Sequence, residues 1–290
     1  MLPASIQITG ELLSAAEVQA IVEGLQEDGV RLLSVRGCQL SDRDFARVCS
    51  GVAACGSLAQ LNLNLGVVSG VSRTQRLADA LKANRSLQTL FLHGSPLLDA
   101  GLVTLNSALS THPALVCLDL GDCMLGDEAL ALVCGMLPPD GAKSGLRELT
   151  LSANPGISSK GWARLAIAVA HSSQLRVLNL DYNLLGDQVS GMLAVSVASS
   201  RTLEVLDLEG TGLTNQSAQG GGSRGAEPVV DRRAGGQSGR WRRPTGETGW
   251  GCWFGGGETG VEGRGRGGLE GMEEELKGKA VFDGKPVELL

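Results

Sequence analysis

Three histidines, His93, His112 and His171, and seven cysteines are the residues of this 290-residue chain that could ligate a metal or act as nucleophiles. Their spacing assembles neither. No C-x-x-C is present and no Cys or His set has metal-ligand intervals. Lys143-Ser144 matches the end of a phosphate-binding loop, but G-x-x-x-x-G-K-[ST] needs Gly at 137 and 142, where Leu137 and Ala142 stand. No cofactor, metal or catalytic residue is therefore expected, and the chain reads as non-enzymatic. Seven unpaired Cys fit free thiols in a reducing, cytoplasmic compartment. The acceptor sequons at Asn84 and Asn215 are then chance matches.

What could work chemically is charge. Asp119, Glu148, Asp181, Asp207 and Glu209, with Phe91 and His93 nearby, fall at related positions of a repeating pattern. Pairs of apolar residues separated by one recur as Ile6/Ile8, Leu33/Val35, Leu61/Leu63, Leu90/Leu92, Leu118/Leu120, Leu149/Leu151, Leu178/Leu180 and Leu206/Leu208, at steps of 27 to 31 residues. Alternation over so short a span is a strand with one face buried.

A helical signal follows each pair. Leu13, Leu40, Leu97, Leu125 and Leu185, with Ile157 displaced by one, mark a turn, and apolar stripes follow with gaps of three and four. Examples are Phe45, Val48, Val52 and Trp162, Leu165, Val169, each one face of an α-helix. Asp42, Asp99, Asp127, Ser159, Asp187 and Asn215 are expected as the helix N-caps, because their side-chain oxygens can accept a free first-turn N–H. Each unit is thus strand, turn, helix and return loop, and buries its apolar faces only against its neighbours.

The segments LVCLDLGDC, LRELTLSAN and LRVLNLDYN resemble the leucine-rich repeat, and the 28–29-residue helical unit is similar to the ribonuclease-inhibitor and NOD-like-receptor class. The resemblance covers residues 1–219. It implies an α/β solenoid of seven or eight units, with a curved parallel sheet on the concave side and helices on the convex side. Similar solenoids also act on small GTPases by positioning the GTPase's own residues, so the resemblance implies regulation of a GTPase as a second role.

In such a solenoid the strand residues that alternate with the leucine pairs line the concave face. One row reads Ser34, Asn62, Phe91, Asp119, Thr150, Asn179 and Asp207, and the next Arg36, Asn64, His93, Gly121, Ser152, Asp181 and Glu209. With Glu148 from the row before, this face turns acidic toward its C-terminal end. The expected function is that of a protein-interaction scaffold, binding a partner that carries a basic patch through Phe91, His93, Asp119, Glu148, Thr150, Asn179, Asp181, Asp207 and Glu209. The loop Pro138–Gly145 is three residues longer than its counterparts and is expected to protrude.

Composition divides the chain at the end of the repeats. Residues 220–290 hold 21 of the 42 Gly and a balanced 11 basic and 11 acidic residues, leaving the net charge of −6 on residues 1–219. That charge argues against nucleic acid as partner of the repeats. No stretch approaches the ~18 apolar residues of a membrane span. The segment 220–290 reads as a disordered, Gly-rich tail of the kind an alternative splice end leaves. Within it, RGRGG at Arg264–Gly268 is a minor candidate for RNA contact, GMEEELKGK for a transient helix and Asp283-Gly284 for a hairpin turn.

Overall fold

A computed structural model describes residues 5–137, 145–212, 240–242 and 251–253. Eight short strands alternate with seven helices: β1 (Ser5–Gln7), α1 (Ala15–Gln26), β2 (Leu32–Ser34), α2 (Asp42–Ala54), β3 (Gln60–Asn62), α3 (Gly70–Ala83), β4 (Thr89–Phe91), α4 (Leu98–Ser110), β5 (Cys117–Asp119), α5 (Asp127–Gly135), β6 (Glu148–Thr150), α6 (Ser159–His171), β7 (Val177–Asn179), α7 (Gly186–Ser199) and β8 (Val205–Asp207). The strands pair in sequence order, all parallel, with Ile6, Leu33, Leu61, Leu90, Leu118, Leu149, Leu178 and Leu206 in one register. Strands sit ~4.8 Å apart whereas packed helices need about 8–10 Å. A stack of such units therefore curves, with the sheet on its inner side.

The core lies between the two layers. Leu33, Leu61, Leu90, Leu118, Leu149 and Leu178 are buried from the sheet side, and the stripes expected from the sequence close on them from the helices. Trp162 of α6 and Phe45 of α2 are the bulkiest fully buried side chains. Helix α3 is the one whose stripe the sequence pattern hides. Its first inward position is Thr74, whose hydroxyl is satisfied by donating to the Gly70 carbonyl at 2.9 Å, so a polar residue is buried without an orphaned group.

The helix starts differ from the sequence expectation. Asp42, Asp127 and Ser159 are first helical residues, and Asp99 and Asp187 are second ones. The caps are Ser41, Gly126 and Ser158 one residue earlier, with Leu97 and Leu185 before Asp99 and Asp187. Serine at the preceding position takes the cap geometry, as with Ser41 accepting from Asp44 N–H at 3.1 Å. The acidic first-turn residues are left free to reach the next unit. Gly126 has no side chain to cap α5, and Asp99 supplies one from α4, accepting from Gly126 N–H at 2.6 Å and Ala129 N–H at 3.3 Å.

Between β8 and Leu269 the sequence suggested no regular structure, yet two further strands continue the sheet. β9 (Arg240–Arg242) pairs antiparallel with β8, and β10 (Gly251–Trp253) pairs antiparallel with β9. A terminal parallel strand presents a row of free N–H and C=O groups, and any extended backbone segment can satisfy them whatever its side-chain periodicity. The loop Pro138–Ser144, Asn215, Arg264–Gly268, the GMEEELKGK stretch and Asp283-Gly284 lie outside the described residues. No helix among the described residues is long and apolar enough to cross a membrane.

Candidate acidic interaction face

Strand register places the candidate residues in rows. Phe91, Asp119, Thr150, Asn179 and Asp207 are Cα partners across β4 to β8, and Glu148 partners Cys117 and Val177 in the adjoining row. His93, Asp181 and Glu209 sit two residues on, where the ladder continues: Gly94 N–H donates to Gly121 O, Ala153 N–H to Asp181 O and Tyr182 N–H to Glu209 O. Phe91, His93, Asp119, Thr150, Asn179, Asp181 and Asp207 are half-buried, and Glu148 and Glu209 are exposed.

Several of these side chains also shape the backbone. Asp119 Oδ1 accepts from Gly121 N–H at 2.9 Å, Asn179 Oδ1 from Asp181 N–H at 2.9 Å, and Asp207 Oδ1 from Glu209 N–H at 3.3 Å. This is an Asx turn repeated up the sheet. It gives the middle row a structural reason to be Asp or Asn, independent of any partner. It does not account for Asp181 and Glu209, one row on.

Those carboxylates are crowded. Burial first, then the neighbouring charges of Asp207 and Glu209, raise the Asp181 carboxyl above its ordinary range. Asp181 Oδ1 is buried with no hydrogen-bond partner. On the other side of the cluster, His93 Nδ1 stands 3.6 Å from Asp119 Oδ1. Asp119, and more weakly Asp122 and Asp181, raise the His93 imidazole against the opposing effect of burial. Gly121 makes this approach possible, since a Cβ there would strike both His93 Nδ1 and Ser152 Oγ. The result is one imidazole among five carboxylates: Asp119, Asp122, Asp181, Asp207 and Glu209.

The register separates Glu148 from that group, and Phe91 stands beside Asp119 as the aromatic neighbour. Sequence reading placed Ser152 in the row of His93 and Asp181 but missed Asp122 and Tyr182, whose hydroxyl donates to Glu209 at 3.1 Å. Asp122 and Tyr182 occupy a row whose backbone is left-handed in every unit, through Gly10, Gly37, Leu65, Gly94, Asp122, Ala153, Tyr182 and Gly210, with φ between 48° and 71°. Glycine in half of that row was the available signal. No group of three potential metal ligands occurs among the described residues. Burial pushes the thiols of Cys49, Cys117 and Cys123 up to about 12 and that of Cys134 to about 11, which keeps them protonated at neutral pH.

The chain is 76% identical over 219 residues to leucine-rich repeat-containing protein 73 of Rattus norvegicus and of Homo sapiens, a match that spans 76% of this chain and 69% of each relative. It belongs to the leucine-rich repeat-containing protein 73 family. No protein-family model matches it. Ribonuclease inhibitor of Sus scrofa is 28% identical over 212 residues, covering 72% of this chain and 45% of that protein. The leucine-rich repeat also explains the buried turn residues. Asn154 accepts from Cys123 N–H and Leu125 N–H and donates to the carbonyls of Leu120, Leu151 and Ser152, and Asn183 repeats the pattern one unit on. Cys38 and Cys123 hold the same place with a single S–H donor, to Ile8 O at 3.4 Å and Leu92 O at 3.2 Å. In this repeat frame Asn84 is no glycan acceptor: its amide is buried and bonded to Val52 O and Cys55 O.

Proposed function

We propose that this chain is a protein-interaction module whose concave face binds a partner bearing a basic patch, with Asp181, Asp207 and Glu209 at its acidic end and Phe91, beside Asp119, as an apolar anchor further along the sheet. One observation carries the reading. Asp181 is held half-buried among like charges with an oxygen unpartnered, an arrangement that costs the folded chain stability. A guanidinium or ammonium group arriving from a partner would relieve that cost, so the free energy recovered adds to binding. The half-buried Thr150 and Asn179 between the charges supply neutral polar contacts, and Glu148 extends the acidic rim.

The test uses the full chain and a lysine- and arginine-rich peptide in fluorescence anisotropy, together with partner capture from cytosolic extract. Reversal of Asp181, Asp207 and Glu209 to Lys is expected to weaken peptide binding at least tenfold and to release the captured partners. Wild-type affinity should also fall steeply with salt. If every partner and the peptide stay bound to the reversed chain, the acidic face is not the site.

A further inference from the structure

The helix layer carries charge of the opposite sign. Between α2 and α3 lies a groove of about 460 Å³, open because the side chains facing it, Ala46, Ser50 and Ser72, are small. Arg43 and Arg47 border it from α2 and Arg76 from α3, with Asp42 also in its lining. Two of the local carboxylates are already matched. Arg73 donates to Asp42 at 2.7 Å, and its other nitrogens hold the carbonyls of Val67 and Leu40 while its guanidinium lies 5.3 Å over the Phe45 ring. Arg47 pairs with Asp44 at 3.3 Å and also bonds Gln19. Arg43 and Arg76, both exposed, make no hydrogen bond or ion pair among the described residues. Two guanidinium groups on facing helices thus keep their N–H donors free of any direct protein partner, although Arg43 also feels the nearby Asp44 carboxylate.

We propose that this groove is an anion site that takes a phosphorylated serine or threonine of a protein partner, gripped by Arg43 and Arg76 from opposite sides. A phosphate monoester carries about −1.5 to −2 charge near neutral pH and three acceptor oxygens. That matches two free guanidinium groups, each able to present paired N–H donors, where a single carboxylate supplies half the charge. Ser72 adds a hydroxyl donor, while the Ser50 hydroxyl already donates to the Ala46 carbonyl at 3.0 Å. Ser72 lies in the first turn of α3, whose N–H groups receive no side-chain bond from the cap residue Ser69 and favour a nearby anion. Acidic neighbours limit the basic area. Glu23 is bonded to the same Gln19 that holds Arg47, and Asp79 lies three residues past Arg76 on α3. A compact dianion fits there, while a run of nucleic-acid phosphates or a lipid surface would meet those carboxylates. The site lies on the helix layer, apart from the carboxylates of the sheet, and stands whether or not the concave face binds a basic partner.

Degenerate peptide pools with a central phosphoserine, and the same pools unphosphorylated, would be titrated against the full chain. The phosphorylated pool is expected to bind at least tenfold more tightly, and the joint change Arg43→Gln, Arg76→Gln to abolish that preference with thermal unfolding unchanged. Arg43→Lys with Arg76→Lys should retain part of it, because charge remains and the paired donors are lost. In the wild-type chain, phosphoserine should shift the side-chain N–H resonances of Arg43 and Arg76 and leave those of Arg147 and Arg176 in place, a readout that needs no variant. Concave-face reversal at Asp181 should leave all of this intact. Equal binding of the two pools, or a preference that survives the double Gln change, would overturn the proposal. So would phosphatidylserine vesicles or duplex DNA binding more tightly than the phosphorylated pool through the same two arginines.

Discussion

Asp127, the first residue of α5, accepts the backbone N–H of Ser158 at 2.8 Å and its hydroxyl at 2.6 Å, so a carboxylate of one unit holds the helix cap of the next. Asp99 does the same for α5. These contacts tie the helix layer together as the backbone ladder ties the sheet. Asp127→Ala should destabilise the repeats by about 1 kcal/mol, the usual cost of a lost cap, read as a lower urea midpoint with unchanged slope. The two Ser158 bonds lower the Asp127 carboxyl below its ordinary 3.8. Its stabilisation is therefore full above that value and is lost as pH falls through the folded one, so Asp127→Asn should flatten part of the acid limb of the stability profile.

The asparagine turns are expected to be the most sensitive polar positions. Asn154→Ala leaves the Cys123 and Leu125 amides and the carbonyls of Leu120 and Leu151 without that partner in a buried site. A loss of about 3 kcal/mol follows from the cost of unsatisfied buried groups. Cys123→Ser, which keeps a donor of similar size, should lose under about 1.5 kcal/mol on the same scale. Equal losses at both positions, measured by denaturant unfolding, would contradict the ladder as the source.

Asp181 gives a pH effect of the opposite sign to Asp127. Its folded carboxyl titrates above the ordinary 3.8, so the native state binds the proton more tightly and stability declines as pH rises through that window. Asp181→Asn should therefore raise the melting temperature near pH 7, and the gain should vanish as the pH is brought below the ordinary carboxyl value. A scan of melting temperature against pH for both chains decides it.

Gly121→Ala tests the pairing that glycine permits. The added Cβ must displace His93 from its position by Asp119. The His93 imidazole, raised in the wild type, should move back toward its ordinary 6.5 in an NMR titration of the ring protons. The stability that His93 contributes is complete below 6.5 and is lost as pH rises through the folded value. That loss on moving to alkaline pH should be smaller in the alanine variant.

The repeat itself was legible because period-two leucine pairs and stripes spaced by three and four are direct consequences of burying one strand face and one helix face. The concave rows followed from them: side chains alternate on a strand, and placing Leu118 and Leu149 inward leaves Asp119 and Thr150 outward. The hidden stripe of α3 shows the limit of that logic, since Thr74 is apolar in placement but not in type.

The sequence by itself determined the eight parallel strands of the repeats, their inward residues and the acidic drift of the concave face, because each depends on local periodicity. Tertiary structure decided what those residues touch. Asp99 and Asp127 look like caps of their own helices, yet they serve neighbours 27 to 31 residues away. Arg43 and Arg76, 33 residues apart in sequence, come to border one groove only when α2 packs on α3. The sheet edge at β8 is covered by backbone whose composition gave no strand signal. Hydrogen-bond partners and uncompensated charges are properties of the distances between units, and those distances are set by stacking and not by the residue pattern within any one unit.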